Sequence, residues 1–236
     1  MAEAARDKKK YDFLVTSGGT REKIDEARFI TNSSTGRLGS LVCDALAALP
    51  DCGKIFYVCG IDAARPRTKK AAIVPVSDTA SVTDAVKNIL SANKVDGIVH
   101  AMAVSDYRVK SVKTADGVEV DRGRKISSGK DDLLLALEPA PKIISFFSSL
   151  APDARLAGFK LLCGVTTETL IDAARAVLLE NNCAFVIAND KTRIAETEHA
   201  ALMIDKTGKI AEYRTKEEIA DGIARKMDEL LRGGTG

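Results

Sequence analysis

Tryptophan is absent from the 236 residues, aromatic side chains make up only 5% of them, and there are two histidines and five cysteines. Neither His100 nor His199 sits at a metal-ligand spacing, and Cys43, Cys52, Cys59, Cys163 and Cys183 contain no C-x-x-C pair, which argues against a zinc site and for reduced, mostly buried thiols. An excess of one charge is missing too. With 35 Lys and Arg against 33 Asp and Glu the formal net charge is +2, so no global field recruits nucleic acid or an anionic membrane, and any bound anion must be held locally. Long hydrophobic runs are lacking: stretches such as 96–104 stop well short of the ~20 residues a bilayer span needs. The apolar Phe13-Leu14-Val15 that follows the basic start is too short for a secretory core. A cytoplasmic protein is expected.

What is present, 45% hydrophobic and 29% charged residues, suits one folded domain over 1–236 with flexible ends at 1–10 and 233–236. Short β-branched or apolar runs at 11–16, 54–58, 71–76, 97–104, 156–161 and 184–188 alternate with helical patterns. Val82, Ala85, Val86, Ile89 and Leu90 share one helical face, as do Leu170, Ile171, Ala174, Val177 and Leu178. Thr215 and Glu218 are spaced as a capping box ahead of Ile219, Ile223, Met227 and Leu230. Strand-like pieces at 200–204 and 210–213 around Asp205-Lys206-Thr207-Gly208 read as a hairpin. The expected fold class is α/β and Rossmann-like: a largely parallel sheet with helices on both faces plus a small hairpin flap. Segments 17–35, 105–132 and 190–214 break the alternation and are where function is sought.

Asn32-Ser33-Ser34-Thr35-Gly36-Arg37-Leu38-Gly39 leads into a helix carrying Leu38, Leu41, Val42 and Leu46. Hydroxyls and glycines at a helix start leave N–H groups and the positive dipole end outward, a site for phosphate; equally, Ser34 or Thr35 could simply cap the helix. Ser17-Gly18-Gly19-Thr20 after the first strand would meet this segment at the carboxyl edge of the sheet. A dinucleotide reductase, with Asp62 on a ribose, is the rival. Yet no G-x-G-x-x-G opens a helix directly after that strand, and Tyr107–Lys110 and Tyr213–Lys216 are one residue too close for a Tyr-x-x-x-Lys pair. Asp106, ending the fourth strand, could face Mg²⁺ or a ligand, or be a solvated cap. The 124–130 run offers cations and hydroxyls against a leaving phosphate, or a solvated face. His100 reads as core, and Phe159 as core or the floor of a base pocket.

These segments in this order, VTSGGTREKIDEARFITNSSTGRLG at 15–39, HAMAVSDY at 100–107, KISS at 125–128, PKIIS at 141–145, AGFKL at 157–161 and IANDK at 187–191, resemble phosphopantothenoylcysteine synthetase across nearly the whole chain. The resemblance implies a ligase joining 4′-phosphopantothenate to L-cysteine through an acyl-nucleotidylate, with Mg²⁺ and CTP, or alternatively ATP, in a homodimer with shared sites. It implies that Gly18, Gly19, Ser34, Gly36 and Gly39 cradle the nucleotide phosphates and that Asn32 holds the activated acyl group. Lys125 would neutralise phosphate and close over the intermediate, and Arg28 would reach phosphopantothenate of the partner subunit. Met102, Ala103 and Asp106 would line that substrate's site; Asp106, Lys142, Phe159 and Asn189 would serve the nucleotide. Two departures stand out: Met102 in a run that is often all alanine, and Val177-Leu178-Leu179-Glu180-Asn181, which lacks the lysines that CTP-using relatives often carry there. A nucleotide-sensing protein without turnover is the non-enzymatic alternative.

Overall fold

Buried side chains alternate between two faces along β1 (Tyr11–Gly19): Phe13 and Val15 enter one apolar cluster, Leu14 the other. That two-residue period is repeated in β4 (Cys52–Gly60), β6 (Gly97–Ala103) and β10 (Phe185–Ile194), whose residues divide between the same two clusters and so build a sheet covered on both faces. The computed structural model describes residues 9–127, 132–194 and 198–233; most of the flexible ends expected from the sequence, 1–8 and 234–236, and Ser128–Lys130 of the cationic run lie outside them. The eight-stranded sheet is completed by β5 (Ala71–Val76), β9 (Arg155–Leu162), β11 (His199–Asp205) and β12 (Ile210–Tyr213), in the order β12-β11-β10-β9-β6-β1-β4-β5. The strands from β10 to β5 pair in parallel, whereas β11 and β12 add antiparallel.

One face is covered by α1 (Arg37–Ala47) and α5 (Lys216–Arg232), through Val42, Cys43, Leu46, Ile219, Ile223 and Met227. The other carries α2 (Thr79–Ala92), α3 (Ile144–Leu150) and α4 (Thr167–Glu180), through Val82, Val86, Phe147, Leu170 and Leu178. The capping box expected at Thr215 is half realised, the Thr215 hydroxyl accepting from Glu218 N–H at 3.1 Å while the Glu218 carboxylate takes Arg214 N–H at 2.7 Å. Among the described residues no helix is long and apolar enough to cross a membrane.

The hairpin read at 200–213 is present and extends the sheet as β11–β12. Two further ribbons stand off the sheet: β2 (Arg21–Lys23) with β3 (Phe29–Thr31), and β7 (Tyr107–Thr114) with β8 (Leu133–Pro139). The sequence gives no period for β7 because a register shift between Val109 and Ser111 interrupts the alternation, leaving Val109 and Val112 buried three residues apart. β8 has no alternation to read, since Leu134, Leu135 and Leu137 are all exposed. The cysteines are unpaired, with Cys43, Cys52, Cys59 and Cys183 buried and Cys163 exposed.

Candidate active site at the carboxyl edge of the sheet

Strand order reverses between β1 and β6, and ligands in such open sheets bind outside the carboxyl ends at that reversal. Gly18 and Gly19 of β1 lie there in register with Met102 and Ala103 of β6, so residues assigned to nucleotide and to substrate are lateral neighbours. The Ala103 carbonyl accepts from Thr20 N–H at 3.2 Å and from Asn32 Nδ2 at 3.3 Å, which folds the chain after β3 back over the strand ends with Asn32 exposed.

Ser34, exposed, precedes α1, whose N-cap is Gly36 in the left-handed conformation (φ 70°) with no side chain capping the helix. The Thr35 hydroxyl takes only Arg37 N–H, at 3.4 Å, so the simple capping alternative is not what the sequence builds here. A side chain at Gly36 would meet Ala63 Cβ at 2.8 Å besides requiring the strained φ. Gly39 serves a different purpose, close approach: its α-carbon packs on buried Ser17, whose hydroxyl donates to the Gly36 carbonyl at 3.0 Å. The helix start is therefore held against β1, and apart from the long Thr35 contact no described side chain caps its first-turn N–H groups, the arrangement that suits an anion.

Asp106 and Lys142 form an ion pair, both side chains about two-thirds exposed, at the start of β7 and the turn before α3. Phe159 and Asn189 lie farther along the same edge, on β9 and β10. Phe159 is half-buried against the α1–α5 cluster, and buried Asn189 donates from Nδ2 to the Ala200 carbonyl at 3.0 Å. The next residue, Asp190, was not anticipated. Its buried carboxylate accepts from Gly164 N–H (2.9 Å), Val165 N–H (3.0 Å) and Thr192 N–H and hydroxyl (2.9 and 2.8 Å), and these donors hold it well below the usual carboxylate range.

Arg28 sits at the tip of the β2–β3 ribbon, four residues and up to about 13 Å along the chain from Asn32, beside the segment that carries Lys125. Asp25, also missed, organises that tip: burial pushes its carboxyl up, but N–H donors from Ala27, Ile126 and Arg28 and the Arg28 guanidinium outweigh burial and lower it. An Asp two and three residues before the N–H groups it accepts is a legible turn signal; its bond to Ile126, 101 positions away, is not.

Asp62, exposed, forms an ion pair with Arg21. His100 Nδ1 lies 2.7 Å from Thr16 Oγ1, its ring packs edge-on against Phe147, and burial pushes its pKa down to about 4; it is a core residue, as read. For magnesium, no cluster of three or more His, Cys, Asp or Glu exists among the described residues. Asp106, the exposed carboxylate that follows β6, is paired with Lys142.

Comparison with known proteins agrees with this geometry. The chain is 31% identical over 225 residues to the coenzyme A biosynthesis bifunctional protein CoaBC of Thermococcus kodakarensis, covering 92% of this chain and 51% of that protein. It thus spans about half the length of that relative. The DNA/pantothenate metabolism flavoprotein from Streptococcus pneumoniae superposes with a TM-score of 0.82 at 32% identity, covering 92% of this chain and 98% of that one. The C-terminal domain of a coenzyme A biosynthesis bifunctional protein CoaBC superposes with a TM-score of 0.73 at 26% identity, covering 95% and 97%. Residues 8–231 match the family described as DNA/pantothenate metabolism flavoprotein C-terminal domain, and the chain belongs to that family.

Proposed function

We propose that the protein is a phosphopantothenate–cysteine ligase of coenzyme A biosynthesis, acting in the cytoplasm. The observation that carries this reading is the Asn32 amide, held on the Ala103 carbonyl at the strand reversal and followed within a few residues by the uncapped start of α1. A site that merely sensed nucleotide would have use for the helix start but none for an amide at the acyl position.

In the first half-reaction a carboxylate oxygen of 4′-phosphopantothenate attacks the nucleotide α-phosphorus; the bond to the β-phosphate oxygen breaks and pyrophosphate leaves with its electron pair. N–H groups at Gly36–Gly39, with the Gly18–Gly19 turn, hold the phosphates, while Lys125 and Lys142 offset charge. Mg²⁺ would supply further charge neutralisation, and Asp106 is the carboxylate that would help to hold it. In the second half-reaction the cysteine amine attacks the acyl carbon, the nucleoside monophosphate departs, and the amine gives up a proton. Asn32 orients the acyl oxygen in this second step, beside Met102 and Ala103. Phe159 and Asn189 serve the nucleotide, and CTP is favoured over ATP because 15–39 reads like the bacterial form without insertions.

A second copy of the chain is the proposed partner, completing the site to which Arg28 reaches. The exposed Leu134, Leu135 and Leu137 of β8, with Val118 and Tyr107, give it an apolar surface to cover. The deciding assay is pyrophosphate release with 4′-phosphopantothenate, L-cysteine and Mg²⁺, CTP and ATP run in parallel and each substrate omitted in turn. Release with CTP supports the reading as stated, and preference for ATP keeps the reaction and changes the nucleotide. Nucleotide binding without release refutes the enzyme. In Asn32→Asp the acyl-nucleotide should still accumulate while cysteine-dependent product falls at least a hundredfold.

A further inference from the structure

Asp25 is 1% exposed, yet it sits at the tip of a two-stranded ribbon beside an exposed loop. Its two oxygens serve different parts of the chain. Oδ1 accepts from Ala27 N–H at 2.7 Å and Arg28 N–H at 2.8 Å, closing the local turn. Oδ2 accepts from Arg28 Nη1 at 3.2 Å and from Ile126 N–H at 3.1 Å, and Arg28 Nη2 donates in turn to the Ile126 carbonyl at 3.2 Å. Ile126 is anchored by its side chain among Val109, Val112 and Val120, against Ile24 and Ile30. Arg122 fastens the same loop from the other side, donating to the carbonyls of Lys23, Ile24 (3.0 Å) and Val109 (2.9 Å).

The turn alone needs only Oδ1, which an asparagine would supply. A carboxylate is required only by the second set of partners, where two donors, one of them cationic, converge on one oxygen. We propose that Asp25 is a positioning residue that fixes the Arg28 guanidinium and the Lys125 loop to one another, so that the phosphate-binding arginine and the loop cation are presented as a single unit. This rests on the reading of Arg28 as a phosphopantothenate ligand.

The test uses the full chain with Asp25→Asn, Arg28→Gln and the double variant. In Asp25→Asn the Nδ2 group faces the Arg28 and Ile126 donors, so hydrogen exchange at the Ile126 amide should accelerate at least tenfold while exchange in β1 is unchanged. KM for 4′-phosphopantothenate should rise at least tenfold, with a smaller change in kcat. The double variant should lose little beyond Arg28→Gln, because both changes remove the same positioned group. Unchanged Ile126 exchange and KM, or losses that multiply, would overturn the proposal. If Asp25→Asn melts too low to assay, Asp25→Glu takes its place: a KM restored to that of the unaltered chain refutes positioning, and a raised KM at full negative charge supports it. Turnover by the unaltered chain reports on the proposed function by itself, and the Ile126 and KM responses report on Asp25.

Discussion

Replacing Gly39 by alanine tests whether the start of α1 is held in place by contact with β1. The added Cβ would lie 2.2 Å from Ser17 Oγ and 2.6 Å from Ser17 Cβ, and Ser17 is a fully buried strand residue that cannot swing aside. The helix must move outward instead. Overpacking a core contact costs about 1–3 kcal/mol, and distances this short place the cost at the upper end. Alanine's better helix propensity returns about 1 kcal/mol. The net loss is about 2 kcal/mol, which lowers Tm by roughly 4–8 °C in a chain of this size. The same shift displaces the N–H groups proposed to hold phosphate, so the stabilisation conferred by saturating CTP should shrink as well. Thermal unfolding with and without CTP measures both effects. Ser17→Gly removes the clashing atoms along with a hydrogen bond of about 1 kcal/mol, so the double variant should be less destabilised than the two single losses combined. Additivity within about 0.5 kcal/mol, or an unchanged Tm in Gly39→Ala, would refute the argument.

Lys125→Gln should slow pyrophosphate release at least tenfold with Tm unchanged, because Lys125 is exposed; a lower Tm would make it structural. His100 binds its proton with a pKa of about 4 when folded and near 6.5 when unfolded. As pH falls below 6.5 the unfolded chain takes up the proton first, so stability drains away down to pH 4, by at most about 3 kcal/mol. Urea unfolding of His100→Gln against the unaltered chain between pH 7 and 4 should show the variant losing less. Asp190→Asn should destabilise the 163–166 turn by about 1–3 kcal/mol through a lost acceptor, read as faster exchange at the Gly164 and Val165 amides. Leu135→Glu with Leu137→Glu should convert a dimer to a monomer by light scattering without lowering the content of ordered structure.

The sheet was legible because its strands are covered on both faces and announce themselves as apolar runs such as 54–58 and 184–188, separated by helices of regular period. The hairpin at 200–213 was legible from its turn residues, although nothing local says that it pairs with β10 and joins the sheet. The ribbons were not legible. β2 and β3 are three residues each, too short for a period, the alternation of β7 is broken by a register shift, and β8 is exposed on both sides. At the candidate site, Gly18, Gly19, Asn32, Gly36, Met102 and Ala103, singled out from the sequence, lie together at the strand ends. Asp25, Arg122 and Asp190 were missed because each acts through backbone groups. A backbone N–H or carbonyl carries no residue signature, so bonds such as Asp25 to Ile126 are written only in three dimensions.

The strand order also settles where this molecule is safe from itself. A β-sheet offers unpaired donors and acceptors only along its two outermost strands, here β5 and β12. β5 contains Pro75, which has no N–H to give an incoming strand, and β12 is only four residues long. The free borders of the sheet are therefore poor templates for runaway strand addition between crowded copies. Leucine-rich β8, held off the sheet on its own ribbon, can present apolar surface without lending the main sheet to aggregation.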